Sequence, residues 1–421
     1  MNSSHDALYR AICAHPDEDT PRLAFADLIE ENGEDRRAAF IRAQVALARV
    51  PVYDPLWVNM RQHDPDTATG WMMTGALPRV LPPGCSWQRF EFRRGFPWKI
   101  GVLSLFALLD GGEAVFDAAP IQSLDLDQHD QPNLAALADW PHLARCTRLA
   151  FSTGWFDADD VARFAESPHA KNITELGFER ESLLPEGLSA LVESPLFGRL
   201  QALELGANRL APALLIDSLG AARRGIALSR LSLANNGVGP HDAENLFQLS
   251  ALRELQHLDM SDNKLGAEGF TALAESGIVR GLRVLNLHNT RPGREGVKAL
   301  AEASGLAGLR MLDLSNNALG PGAVKALAGC AGFRGLRVLN LSNNHVRDSG
   351  ATDLAASGAL AGLLELDLCE AEIGDAGALA LAESPHLDGL LRLDLRTRTG
   401  RGFGDTALGA LVERFGDRVC L

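Results

Sequence analysis

Leu309-Arg310-Met311-Leu312-Asp313-Leu314-Ser315-Asn316-Asn317 returns 27 residues later as Leu336-Arg337-Val338-Leu339-Asn340-Leu341-Ser342-Asn343-Asn344. A third version, Leu255-Gln256-His257-Leu258-Asp259-Met260-Ser261-Asp262-Asn263, stands 54 residues before the first. Repetition at a fixed period outranks other readings of a fold, because each period is then one unit of a stack. Units start at Ile121, Cys146, Ile173, Leu200, Leu228, Leu255, Leu282, Leu309, Leu336, Leu363 and Leu390. The steps are 25, 27, 27, 28 and then 27 six times, so eleven units occupy 121–421.

Each position of the unit has a physical reason. The Leu-x-Leu core alternates in and out, the period of a strand. The ninth residue is Asn at Asn208, Asn236, Asn263, Asn317 and Asn344, a structural ladder whose amides can bond backbone where the chain leaves the strand. An apolar residue follows two positions later, then often Gly for a tight turn. Ten residues past the Asn position stand Leu246, Leu273, Leu300, Leu327, Leu354, Leu381 and Leu408, in Ala-rich stretches with helical spacing. A unit is therefore strand, turn, helix and return. One unit cannot bury its apolar face, whereas a stack forms a continuous core. Thr290 replaces the Asn inside the series, and the outer units depart from it, with His129, Gly154, Glu181, Ala371 and Arg398 at that place.

This pattern resembles the leucine-rich repeats, and the length of 27–28 with a helical return resembles the ribonuclease-inhibitor-like subtype. The resemblance implies an α/β solenoid, a horseshoe with a parallel sheet on the concave face and helices on the convex one, preceded by a small α-helical domain.

Residues 1–50 read as three helices: Asp6 to Ala14, a second started by Thr20-Pro21 and ended by Asn32-Gly33, and a third over Arg36 to Val50. The strings Asp19-Thr-Pro-Arg-Leu-Ala-Phe-Ala-Asp27, Glu30-Glu-Asn-Gly33 and Arg37-Ala-Ala-Phe-Ile-Arg-Ala-Gln44 are similar to a bacterial repeat-companion domain, known mainly from planctomycetes and found ahead of repeat arrays. Leu28 and Ala39 stand where that family has Trp and Glu. Residues 51–86 read as a Pro-rich connector. Residues 87–120 read as an N-terminal cap unit, with Phe90 and Phe92 in a cryptic first strand and Leu103 to Phe116 as its helix. The repeat array fills 121–421.

Composition narrows the function. The net charge is −14, with −10 of it in 121–421, which argues against nucleic-acid binding through bulk electrostatics. Arg89, Arg93, Arg94 and Lys99 interleave with aromatics as a nucleic-acid patch would, but against that charge they read as solvated residues of a cap strand. No apolar stretch is long enough for a membrane span, and the start lacks a secretory pattern. Six scattered cysteines without a CxxC pair fit a reducing cytoplasm, with no disulfide framework or zinc ribbon. Five lysines against 35 arginines fit a G+C-rich bacterial coding bias.

Residues three, five and seven of each unit face outward. Position five reads Asp125, Ala150, Gly177, Glu204, Ser232, Asp259, Asn286, Asp313, Asn340, Asp367, Asp394: six acids and no base. Strands lie about 4.8 Å apart, so these carboxylates predict an acidic ridge that attracts a basic partner. The structural alternative is that Asp simply suits this place in the unit. The expected partner-binding set is Glu204, His257, Asp259, Asn286, His288, Met311, Asp313, Asn340, Asp367 and Asp394. No cofactor, metal site or catalytic motif is expected. The leading expectation is a non-enzymatic scaffold that binds a protein or peptide on the acidic concave face, with no nucleic acid and no membrane. One alternative is regulation of a GTPase or other enzyme through strand-end loops such as Asn289-Thr290-Arg291. Another is a hydrolase centred on His288, with Ser261 or Ser315 and a neighbouring Asp.

Overall fold

The computed structural model describes residues 3–57, 81, 84–87, 92–127, 134–152, 154–180, 182–222, 228–398 and 402–421. The chain divides into two compact units, Met1–Glu204 and Leu205–Leu421.

The first unit opens with helices α1 (Ser3–Ala14), α2 (Thr20–Glu31) and α3 (Asp35–Leu47). Pro21 sits in the first turn of α2, where its missing N–H costs nothing. Thr20 is already helical; the cap position is Asp19, whose side chain bonds Arg49 at 2.8 Å instead of the helix. Asn32 closes α2, and Gly33 takes a φ of +87°. Ile12, Phe25, Ile29, Phe40, Ile41 and Val45 meet in one core.

That core is completed from outside residues 1–50. Strands β1 (Cys85–Ser86), β2 (Phe92–Arg93) and β3 (Phe96–Pro97) come next. β2 and β3 form an antiparallel hairpin with Arg94 at φ 55° and Gly95 at φ 84°, the left-handed pair of a type I′ turn. A Cβ on Gly95 would lie 2.7 Å from Ile41 Cα, so the hairpin tip is pressed against α3. Phe96 meets the rings of Tyr9 and Phe25 edge-on, with centroids 5.9 and 5.7 Å away. The expected cryptic strand is therefore displaced. Phe92 belongs to the hairpin, and Phe90, like Arg89, lies outside the described residues. The first strand of the stack is β4 (Lys99–Val102), which pairs in parallel with β5 (Ser123–Leu126) and antiparallel with β1. The helix expected after it is two short ones, Leu105–Gly111 and Glu113–Ala118.

Strands β6 (Arg148–Phe151), β7 (Glu175–Phe178) and β8 (Ala202–Glu204) continue the parallel sheet of this unit. Tyr9 donates its hydroxyl to Ala118 O at 2.8 Å, and Arg145 donates to Cys13 O at 2.8 Å. These bonds fasten α1 to the first helices of the stack. Among the basic residues of the hairpin and β4, Arg94 donates to Asp17 O, Arg93 lies 5.4 Å over the Trp98 ring and Lys99 pairs with Asp125 at 2.5 Å.

The second unit repeats one motif. Strands β9 (Arg230–Ser232), β10 (His257–Asp259), β11 (Val284–Asn286), β12 (Met311–Asp313), β13 (Val338–Asn340), β14 (Glu365–Asp367) and β15 (Arg392–Asp394) run parallel in unbroken register, with β16 (Val419–Cys420) on β15. Their central leucines Leu258, Leu285, Leu312, Leu339, Leu366 and Leu393 are at most 1% exposed. Helices such as Gly266–Glu275, Gly293–Glu302 and Pro321–Ala328 cover this side and send in Leu273, Leu300 and Leu327. The last, Asp405–Phe415, departs from the pattern. Leu408 is 37% exposed there, because this helix packs against one neighbouring helix, Asp375–Ala382, rather than two.

Two ladders lock the stack. Asn263, fully buried, donates to Leu233 O, Met260 O and Ser261 O and accepts from the N–H groups of Asn236 and Val238. Asn317 and Asn344 repeat the arrangement. Thr290 fits the same slot without distorting it, donating to Leu287 O at 2.7 Å. A second ladder uses serines that recur in repeat register: Ser357 and Ser384 donate to Ala328 O and Ala355 O, each at 2.5 Å and 29 residues back. It ties the end of one helix to the next return. The fold is thus an α/β leucine-rich-repeat solenoid preceded by a helical region.

Candidate functional site

The face of each sheet opposite the helices carries the outward residues, and position five has a local cause. Asp259 accepts the N–H of Ser261 at 2.9 Å, Asp313 that of Ser315 at 2.8 Å and Asp367 that of Cys369 at 2.9 Å. A short acceptor side chain here closes the turn at the strand exit. Asn286 and Asn340 do the same for His288 and Ser342, at 3.1 and 3.0 Å. An amide therefore suffices for the turn, and the negative charge on the aspartates is not required by the fold.

The expected uniform ridge is corrected by basic residues at positions three and seven. In the first unit Arg148 reaches Asp125 at 2.9 Å and Glu204 at 3.0 Å. It lies across Ala150 and Gly177, whose small size clears its path; a Cβ on Gly177 would stand 3.1 Å from Glu204 Oε2. Glu204 is thus committed to an internal ion pair. In the second unit Arg392 pairs with Glu365 at 2.9 Å and with Asp394 at 2.8 Å, and Arg396 pairs with Asp394 at 2.5 Å. Asp394, expected on the contact surface, is only 1% exposed.

Between them the picture differs. Among the described residues, no Lys or Arg lies within ion-pair distance of Asp259, Asp313 or Asp367. Along β10 to β14 position five alternates Asp259, Asn286, Asp313, Asn340, Asp367, and Asn340 donates to Asp313 Oδ2 at 2.8 Å. Alternation keeps like charges about 10 Å apart, two strand spacings. Position three beside it holds Val284, Met311 and Val338, all half-buried on the three central strands, with His257 before them. Burial and the neighbouring Arg230 hold His257 below the usual imidazole range, so it is neutral at pH 7.

Asp367 and Asp394 break the alternation. Burial pushes the Asp367 carboxyl above its ordinary range and Asp394 adds repulsion, which the Cys369 N–H and Arg392 only partly offset. Burial also opposes ionisation of Asp394, but hydrogen bonds and charge from Arg396, with Arg392, outweigh it and hold this carboxyl low. Asp367→Asn keeps the Cys369 acceptor and removes the repulsion. A raised folded-state pKa costs stability as pH rises from the unfolded value, about 3.9, through the folded one. The expected result is a higher urea midpoint than wild type at pH 7 and an equal one near pH 3; equal midpoints at both would contradict the repulsion.

The His288 constellation has the wrong order for a hydrolase. Ser315 donates to Asp313 Oδ1 at 2.5 Å, and His288 Nδ1 lies 2.8 Å from the Ser315 hydroxyl. The carboxylate holds the serine rather than orienting the imidazole, and a serine whose proton points at Asp313 accepts from His288. Ser315 and Ser261 are 4% and 8% exposed. The six cysteines are free thiols, and burial pushes Cys13 and Cys85 up to about 11 and Cys146 up to about 12, so these three are not thiolates at neutral pH. Among the described residues no three His, Cys, Asp or Glu side chains converge to hold a metal, and no helix is long and apolar enough to cross a membrane.

A second feature lies at the strand exits of the second unit. A groove of about 710 Å³ is lined by Asn289, Arg291, Asn316, Asn343, His345 and Arg398, among others. Asn289, Asn316 and Asn343 have φ of 51°, 56° and 54°, the left-handed region that Asn tolerates. His345 and Arg347 both bond Glu372 in its wall.

Three segments, 252–274, 309–328 and 336–355, match the model of the leucine-rich repeat family. The array therefore contains leucine-rich repeats. No curated protein sequence matches the chain. Among solved structures, an internalin (inlF) from Listeria monocytogenes is similar, with 18% identity, TM-score 0.43, 74% of this chain and 84% of that one covered. The TLR13–ssRNA13 complex matches at 20% identity and TM-score 0.41, over 65% of this chain and 39% of that chain. The Rad7–Elc1 complex in yeast matches at 15% identity and TM-score 0.48, over 90% and 95%.

Proposed function

We propose that the chain is a non-enzymatic interaction scaffold that binds a protein or peptide through the open face of its repeat sheet. The observation that carries this reading is the set Asp259, Asp313 and Asp367, none of them in a direct ion pair with Lys or Arg among the described residues, beside Val284, Met311 and Val338. Arginines pair directly with Glu365 and Asp394, Arg392 only partly offsets the charge at Asp367, and none pairs with Asp259 or Asp313 among the described residues, although amides at 286 and 340 serve the same turn. A basic, partly apolar partner surface fits that combination. His257, Asn286, His288 and Asn340 complete the contact surface; Glu204 and Asp394 serve the fold. The 27-residue helical unit supports the ribonuclease-inhibitor-like subtype, and the three-helix segment ahead of it supports the repeat-companion reading of 1–50. Cytoplasmic residence in a bacterium fits six free thiols and the arginine-rich composition.

Affinity capture from the native host tests the reading. Partners held by wild type are expected to be lost by the double variant Asp259→Lys/Asp313→Lys and kept by Lys298→Glu on a helix. Equal recovery by all three would remove the open face from binding. The strand-exit groove favours a second reading, contact through Asn289 and Arg291; partners lost with Arg291→Glu and kept by the double variant would select it.

A further inference from the structure

We infer that the occupant of the open face in the second unit is an amphipathic basic α-helix lying across the strands, an inference that rests on the scaffold reading above. Two parallel stripes run across the strands, an acidic one from β10 to β14 and an apolar one over β11 to β13. The apolar one is Val284, Met311 and Val338, directly in register on adjacent strands. The acidic one is Asp259, Asp313 and Asp367, on every second strand, with amides between.

The spacings select the occupant. Adjacent strands are about 4.8 Å apart, so the three apolar residues span about 9.6 Å. Successive turns of an α-helix advance about 5.4 Å, so residues i, i+4 and i+7 span about 10.5 Å and meet all three within about 1 Å. An extended segment presents same-face side chains every 6.8 Å or so, which gives about 13.6 Å over the same three and falls out of step by about 4 Å. The acidic stripe agrees. Its members are about 9.6 Å apart, and one heptad of helix advances about 10.5 Å. Lys or Arg at seven-residue intervals on the flank of the apolar seam therefore faces Asp259, Asp313 and Asp367 in turn. The two stripes are two residues apart along each strand, about 6.6 Å, within the width of one helix of about 10 Å. Apolar anchors with a charged flank are the usual grammar of a helix seated in a groove.

Three synthetic peptides of one composition, Leu, Lys, Ala and Gln, test this by fluorescence anisotropy on the full chain. One places Leu at i, i+4, i+7 and i+11 with Lys at heptad spacing on one flank. One alternates Leu and Lys as a strand would. One is scrambled. The helical pattern is expected to bind at least tenfold tighter than the other two and to weaken with salt. Met311→Glu is expected to weaken it at least tenfold. Asp259→Asn/Asp313→Asn, which keeps both turns, is expected to flatten the salt dependence. Circular dichroism of each variant checks that the fold is retained. If the alternating peptide binds as well as the helical one and still responds to Met311→Glu, the helix inference is overturned and the scaffold reading stands. If no peptide binds, or binding ignores all variants, the inference is also overturned, and the capture comparison above decides the scaffold reading separately.

Discussion

Asn317→Ala is expected to lower unfolding stability by about 3 kcal/mol or more, read as a fall in the urea midpoint. The side chain is 5% exposed and works in both directions. Its amide nitrogen donates to Leu287 O at 2.8 Å, Leu314 O at 3.0 Å and Ser315 O at 3.1 Å. Its oxygen accepts the N–H groups of Thr290 at 2.7 Å and Arg291 at 2.8 Å. Alanine leaves the N–H groups of Thr290 and Arg291 without their acceptor, whereas Leu287 O, Leu314 O and Ser315 O each lose one donor and keep another, from Thr290 Oγ1, Asn344 Nδ2 and the Asn289 N–H. Each unsatisfied buried group costs about 1–3 kcal/mol, and partial relaxation keeps the sum below full additivity. The neighbour Asn316 is the control. It is exposed, and its alanine variant forfeits only the left-handed tolerance of Asn at φ 56°, worth about 1 kcal/mol. Equal effects at 316 and 317 would mean the ladder does not hold the units together.

Phe96→Ala is expected to cost about 3–5 kcal/mol, the range for removing a buried aromatic ring. Its ring is 1% exposed, touches Tyr9 and Phe25, and has Arg22 above it at 5.5 Å. Arg22 is itself buried, and that burial brings its guanidinium down to about 10, so it has little tolerance for losing the ring that shields it. The damage should be local, because a stack of repeats is held by nearest neighbours. Hydrogen exchange is expected to accelerate in α1 to α3 while the amides of β12 and β13 keep their protection. Unchanged exchange in α2 would mean that residues 1–50 hold their core without the hairpin.

The repeats were legible because their signal is redundant. Leu309, Leu312 and Leu314 return at the same places in unit after unit, and the Asn at the ninth position marks the strand exit. The hairpin was not legible, because Arg94-Gly95 is not one of the common two-residue turn sequences and Phe92 alternates correctly for either a stack strand or a hairpin arm. The open face was half legible. The acids of position five fall in one column of the repeat, whereas Arg148, Arg392 and Arg396 reach them sideways from other columns. Ser357 and Ser384 recur in repeat register with Ser167, Ser194 and Ser276, but the pattern does not show that their acceptors are carbonyls 29 residues back. The His288 group read as catalytic residue types, and only the direction of the Ser315 hydrogen bond separates it from a triad.

Photo-crosslinking reads out whether partners sit on the open face. A photoreactive side chain at Val338, in the apolar stripe, is compared with one at Lys298, 54% exposed on the helix side, each in the full chain exposed to native host extract. A discrete crosslinked species is expected from position 338, suppressed by excess unlabelled wild type, and none from position 298. Crosslinking from 298 with none from 338 would contradict binding on the open face.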